Sequence, residues 1–197
     1  MMETLVAAMH RSSVLRTRDI EALGISRQQL SHLCRRGVVR RVARGLYSLP
    51  DVAASTHHSL AEATKRVPRG VVCLLSALRF HGFTTQAPAE VWMAIDAKSW
   101  QPVVAELPIR IVRFSGDALV AGVEEHEVDG VMVHVYSPAK TVADCFKFRN
   151  KIGLDVALEA LREGWRERRF SMDELWRCAK VCRVANVMRP YLDALSL

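Results

Sequence analysis

Acidic side chains are absent from position 22 to position 50, a stretch that holds six arginines. A segment with that imbalance cannot cancel its own charge, and it points to a polyanionic partner. Long apolar runs are absent too: none approaches the ~20 residues that a membrane-spanning helix needs. The opening MMETLVAAMHRSSVLRTRD has a short apolar stretch preceded by an acid, with no basic n-region. It makes a poor secretory signal, so the expected location is cytoplasmic, with no membrane partner. Cysteine is scarce, odd in number and scattered (Cys34, Cys73, Cys145, Cys178, Cys182). Cys178 and Cys182 stand four apart on an expected helix, which is not a CxxC spacing, and the thiols are expected to be buried and reduced. No GxGxxG, Walker loop or GxSxG occurs, which removes the usual signatures of dinucleotide, nucleoside-triphosphate and serine-hydrolase sites. Proline and glycine are few, and there are no internal repeats or low-complexity tracts.

What is present is the composition of an ordinary globular protein, in a chain of 197 residues that could form one larger domain or two small ones. The net charge of +7 is unevenly placed. Residues 1–50 carry nine arginines against Glu3, Asp19 and Glu21, a surplus of six, whereas residues 51–197 carry nineteen basic and eighteen acidic side chains. The polyanion-binding function therefore belongs to the first quarter.

Local signals divide that quarter into elements. Residues 3–10 read as a helix with Leu5, Val6 and Met9 on one face. TRDIEALG follows, with Thr17 expected as N-cap and Gly24 as stop. ISRQQLSHLCRRG starts a new helix: Ser26 and Gln29 have capping-box spacing, Ile25 and Leu30 that of a hydrophobic staple, and Gly37 closes it. VVRRVARGLYSLP then reads as a short hairpin turning near Ala43-Arg44-Gly45. Further on, residues 51–66 are expected to be helical, and VVCLLSALRFHG to be a helix or a strand–helix unit. EVWMAID and IRIVRFS have strand character, and HEVDGVMVHVYS is a hairpin candidate with Asp129-Gly130 as a type I′ turn. SPAKTVADCFKF, LDVALEALREGW, SMDELWRCAKVC (with a Ser171/Glu174 capping box) and NVMRPYLDALSL are expected helices. A domain boundary is expected near residues 50–68.

The order helix, short helix, tight turn, capped helix, basic hairpin is that of a winged helix-turn-helix. At about 100° per residue, Leu33 and Cys34 fall within about 60° of Leu30, while Gln28, Ser31, His32 and Arg35 fall about 100–200° away. One face is apolar and suited to packing. The other offers an amide, a hydroxyl, an imidazole and a guanidinium, which suit base edges in a major groove. Arg27 and Arg36 flank that face as phosphate contacts. With Val42, Tyr47 and Leu49 anchoring the hairpin inward, Arg40, Arg41 and Arg44 are free to reach the sugar-phosphate backbone or the minor groove. The candidate DNA-binding set is thus Arg27, Gln28, Ser31, His32, Arg35, Arg36, Arg40, Arg41 and Arg44. The alternative for the same residues is a solvated helix face followed by a basic loop.

The stretch TRDIEALGISRQQLSHLCRRGVVRRVARGLYSLP resembles the N-terminal winged-helix domain of the AbiEi family, antitoxins of type IV toxin–antitoxin (abortive-infection) systems. LLSALRFHG and SPAKTVADCFKFRNKIGLDVALEALREG are similar to that family's downstream domain. The resemblance implies a transcriptional autoregulator that binds inverted repeats of double-stranded DNA in its own promoter. It also implies opposition to a cognate toxin of nucleotidyltransferase-like architecture, by a route that need not involve a tight complex. The sequence assigns no oligomeric state.

Other motifs carry weaker chemistry. Ser137-Pro-Ala-Lys140 has the SxxK pattern of penicillin-binding enzymes, but without SDN or KTG partners it reads as a serine-capped helix with an exposed Lys140. His57, His58, His81, His126 and His134 lack the spacing of a zinc motif, and His81 reads as a helix-end imidazole. Asp96-x-Lys98 and Asp117 stand at strand ends, where paired carboxylates could serve a nuclease. REGWRERRF reads as a salt-bridged helix face with Glu163 and Glu167 among its arginines. The expectation is an α+β protein with a winged helix-turn-helix at 1–50. A larger domain at 51–197 follows, with a small mixed or antiparallel sheet and several helices. No enzyme activity, metal or cofactor is expected. The alternatives are a solitary winged-helix regulator and a DNA-tethered nuclease.

Overall fold

The computed structural model describes residues 2–50, 56–84, 88–100 and 107–195. The architecture is α+β, with helices and two sheets, and the chain divides into two compact units. The first takes in Met1–Arg69 and His126–Val133; the second takes in Gly70–Gln101, Ile109–Glu125 and His134–Leu197.

In the first unit, α1 (Met2–Arg11) buries Leu5 and Met9, one turn apart, with Glu3 in its first turn and His10 and Arg11 in its last. After β1 (Leu15–Arg16) comes α2 (Thr17–Ala22). Its N-cap is Arg16, one residue earlier than the expected Thr17. Asp19 Oδ2 accepts the Arg16 N–H at 3.0 Å, which ties the first turn of the helix back to that residue. Gly24, at φ +83°, follows the end of α2. The chain continues into α3 (Arg27–Arg35), β2 (Arg40–Ala43), β3 (Leu46–Ser48) and α4 (His58–Arg66). The helix expected over 51–66 is thus seen from His58, and residues 51–55 lie outside the described residues. The three strands form an antiparallel sheet in the order β1-β3-β2. Leu5, Met9, Leu15, Ile20, Ile25, Leu30, Val39 and Leu49 close one core.

In the second unit, β4 (Val71–Val72) leads directly into α5 (Leu74–Phe80), the strand–helix form of the two expected. There follow β5 (Val91–Asp96), β6 (Ile109–Phe114), α6 (Asp117–Val120), β7 (Val123–Val128) and β8 (Val131–Tyr136), of which the stretch His126–Val133 belongs to the first unit. The five strands form a mixed sheet, β6-β5-β4-β8-β7, in which β4 pairs antiparallel with β5 and parallel with β8. Asp129 (φ +50°) and Gly130 (φ +71°) make the two-residue turn between β7 and β8, as a type I′ hairpin requires. The helices α7 (Pro138–Lys147), α8 (Arg149–Ile152), α9 (Leu154–Arg166), α10 (Met172–Val181) and α11 (Ala185–Leu195) complete the chain.

Every residue of α7 from Ala139 to Phe146 is buried, because the helix packs on α5, α9 and α10. Ser137 caps it, accepting the Lys140 N–H at 3.4 Å. Lys140, however, is not exposed: its side chain has no accessible surface, and its ammonium lies 2.6 Å from Asp144 Oδ2. The rings of Tyr136 and Phe114 stand 4.0 Å and 4.8 Å from Nζ, and Cys182 donates to Asp144 Oδ1 at 3.2 Å. An i,i+4 pair on a helix without a solvent face can neutralise itself nowhere else.

Candidate nucleic-acid interface

The start of α3 is set by its own sequence. Gln29 N–H donates to Ser26 Oγ at 3.3 Å, and Ser26 N–H donates to Gln29 Oε1 at 2.9 Å. Ile25 and Leu30, both 2% exposed, join the same core and close the staple. Leu30 thereby fixes the rotation of the helix. Leu33 and Cys34 are half-buried against the core, whereas Arg27, Gln28, Ser31, His32, Arg35 and Arg36 are exposed. Burial raises the Cys34 thiol, with Arg41 opposing, so it remains a neutral packing group.

The hairpin is irregular. Arg40 pairs with Ser48 and Arg41 with Tyr47, but Ala43 pairs with Leu46, so a bulge displaces Val42. As a result Ala43 and Leu46, with Val14, form a small buried cluster, and Leu49 joins the main core. Val42 and Tyr47, expected as inward anchors, are only half-buried. The bulge also leaves Arg40, Arg41 and Arg44 exposed, and Arg41 Nε donates to the Ala43 carbonyl at 3.2 Å, bracing the distortion. Gly45, at φ +76°, completes the turn, and its carbonyl accepts the Thr17 N–H at 3.0 Å.

Between α3 and the hairpin lies a groove of about 600 Å³. Arg27, Ser31 and Arg35 line it from the helix, Arg41 and Arg44 from the hairpin, and Leu30 and Tyr47 contribute apolar surface. Gln28 and His32 lie along a second hollow, of about 510 Å³, with Met2, Ile25 and Leu33. Arg35 belongs to both hollows. Arg36 and Arg40 line neither. The exposed face expected from the helical wheel is therefore divided: Ser31 and Arg35 turn toward the hairpin, Gln28 and His32 away from it. Arg27 also faces the hairpin side and is held by Glu21, Nε to Oε1 2.7 Å. Thr17, Gly45 and Tyr47 are groove residues that the wheel did not select; the glycine's place at the hairpin turn was the available signal. Four guanidinium groups converge on this groove with one carboxylate beside them, which makes it a cationic slot with hydrogen-bond donors along both walls.

Residues 3–50 match a family model described as a transcriptional regulator, AbiEi antitoxin. Over that stretch the chain is similar to AbiEi regulators. The matched residues are about a quarter of the chain and include α3, the hairpin and all nine candidate contacts. The downstream stretches beginning at Leu74 and Ser137 lie outside the AbiEi match. No curated protein matches the chain.

The other sequence candidates have local structural partners. Asp96 Oδ1 accepts the Lys98 N–H at 2.7 Å, so Asp96-x-Lys98 forms a turn, while Asp117 opens the short α6. His81 ends α5, buried, with its Nε2–H donating to the Tyr136 carbonyl at 2.7 Å. His58 Nδ1 lies 2.8 Å from Asp129 Oδ2, and His134 Nε2 lies 3.3 Å from Glu125 Oε1. In REGWRERRF, α9 ends at Arg166, so only part of the stretch is helical; Arg166 pairs with Glu163 at i,i+3, and Arg169 with Glu167 beyond the helix. All five cysteines are free; Cys73, Cys145 and Cys182 are buried, Cys34 and Cys178 half-buried. Among the described residues no group of three or more His, Cys, Asp or Glu is placed to hold a metal, and no helix is long and apolar enough to cross a membrane.

Proposed function

We propose that the chain is a sequence-specific, double-stranded-DNA-binding repressor whose residues 1–50 act as a winged helix-turn-helix. On this reading α3 enters the major groove, the β2–β3 hairpin is the wing, and residues 51–197 form the regulatory domain. The groove between α3 and the hairpin carries the proposal: it places Arg27, Ser31 and Arg35 opposite Arg41 and Arg44 around one cationic slot. Ser31, Arg35, Gln28 and His32 read base edges, and Arg27, Arg36, Arg40, Arg41 and Arg44 hold phosphates. None of these roles needs a cofactor or a catalytic group.

The AbiEi match supports the further reading that the protein is the antitoxin of a type IV toxin–antitoxin pair, repressing its own operon at inverted repeats. In this reading residues 51–197 oppose a nucleotidyltransferase-like toxin encoded alongside. Nuclease footprinting with the full chain on the DNA upstream of its own reading frame tests the repressor role. Protection of an inverted repeat is expected, and no protection anywhere on that fragment defeats it. Co-expression with the neighbouring gene product tests the antitoxin role, with restored growth as the expected result.

A further inference from the structure

The first unit holds a second cationic hollow, of about 290 Å³, to which six basic side chains contribute from five different elements. Arg16 comes from β1, Arg18 from α2, Arg27 from α3, Arg44 from the hairpin turn, and Lys65 and Arg66 from α4. Three carboxylates attend them. Asp19 lies 3.7 Å from Arg18 and 3.8 Å from Lys65, Glu21 pairs with Arg27, and Glu62 lies 2.6 Å from Arg66. Among the described residues, six cations and these three acids gather at one partly enclosed space.

Two of these donors are only thinly solvated. Arg16 Nε is buried and meets no hydrogen-bond partner. The Lys65 side chain is only 18% exposed, and burial depresses its ammonium; Arg16 and Arg18 add to the effect, while Asp19 opposes it. Gathering like charges around desolvated donors is costly unless an anion joins them. The position of the hollow identifies the anion. Thr17, Arg27, Arg44 and Gly45 line both this hollow and the groove beside α3, so the two share a rim. The Thr17 N–H bond to the Gly45 carbonyl holds that rim together.

We propose that this hollow holds a backbone phosphate of the same duplex that lies in the α3 groove, with Arg16, Arg18 and Lys65 as its principal donors. The inference rests on the DNA reading above and extends the contact surface beyond residue 50 to α4. Such a contact positions the duplex without reading its sequence.

The test measures affinity against salt for the full chain. It uses the upstream promoter duplex and an arbitrary duplex of about 30 base pairs, with wild type, Arg18→Gln and Arg18→Gln/Lys65→Gln. Arg18 is largely exposed, so the single variant stays informative if the double variant melts early. Each phosphate contact contributes about 0.9 to the slope of log K against log salt. The double variant is expected to lose about one unit of slope and to weaken both duplexes by the same factor, with the single variant changing in the same sense. A slope unchanged in both variants overturns the phosphate hollow while leaving the α3 groove standing. Weakening confined to the promoter duplex also overturns it, because a backbone contact cannot discriminate. Failure of the wild type to bind either duplex removes the DNA reading and this inference together.

Discussion

Replacing Lys140 by methionine keeps an unbranched side chain, one atom shorter, and removes its charge and its N–H donors, leaving Asp144 buried without its counter-ion. Both side chains are fully buried, 2.6 Å apart, so solvent cannot compensate. Breaking such a pair from one side costs about 3–5 kcal/mol, against a total of about 5–15 kcal/mol for a typical domain. At roughly 2–4 °C per kcal/mol, the melting temperature is expected to fall by about 6–20 °C. The effect also has a pH signature. Burial holds the Asp144 carboxyl above its usual range, while Lys140 and then the Cys182 hydrogen bond oppose that rise. Removing Lys140 removes the main opposing influence, so the folded-state pKa climbs further above the unfolded one. A carboxyl raised in this way keeps its proton more tightly when folded, so stability is greatest below the unfolded pKa and is lost as pH rises through the folded pKa. Thermal melts of Lys140→Met followed upward from about pH 4 should therefore show a steadily falling midpoint. The double variant Lys140→Met/Asp144→Leu removes both charges and is expected to recover most of the loss with little pH dependence. A single variant that melts with the wild type across the range, or a double variant no better than the single, would refute the buried ion pair.

Ser26→Ala removes the oxygen that accepts the Gln29 N–H and is expected to cost about 1 kcal/mol in a thermal or urea melt, with Ser26→Asp largely neutral; equal melts for all three chains would contradict the cap. Gly130→Ala drives a Cβ into the Arg11 carbonyl oxygen at a residue with φ +71°, so destabilisation of roughly 3 kcal/mol or more is expected, and an unchanged melting point would contradict the close approach of that turn to Arg11.

The parts of the fold that were readable from sequence are those settled within a few residues. The Ser26/Gln29 and Ser171/Glu174 boxes, the Ser137-Pro138 start of α7 and the Asp129-Gly130 turn each depend on neighbours in the chain, and each forms in the structure. The partition of α3 into a buried Leu30 and exposed Gln28, Ser31, His32 and Arg35 was readable for the same reason. What could not be read depends on distant partners. Lys140 looks like a surface lysine until α5, α9 and α10 pack on α7 and bury it from Ala139 to Phe146. The hairpin bulge exchanges Val42 for Ala43 as the inward residue, and pairing with Leu46 decides that. The division of the α3 face follows from where the hairpin lies, and the Arg16–Arg18–Lys65 hollow joins residues nearly 50 positions apart.

The central claim is that α3 and the hairpin grip duplex DNA together, and gel shifts with Arg35→Ala and Arg44→Ala on the upstream promoter and an unrelated duplex test it directly. Arg35→Ala is expected to weaken promoter binding by about 1–3 kcal/mol and to narrow the gap between the two duplexes, while Arg44→Ala should weaken both equally and lower the salt slope by about one. Unchanged binding of both duplexes by both variants would contradict the account.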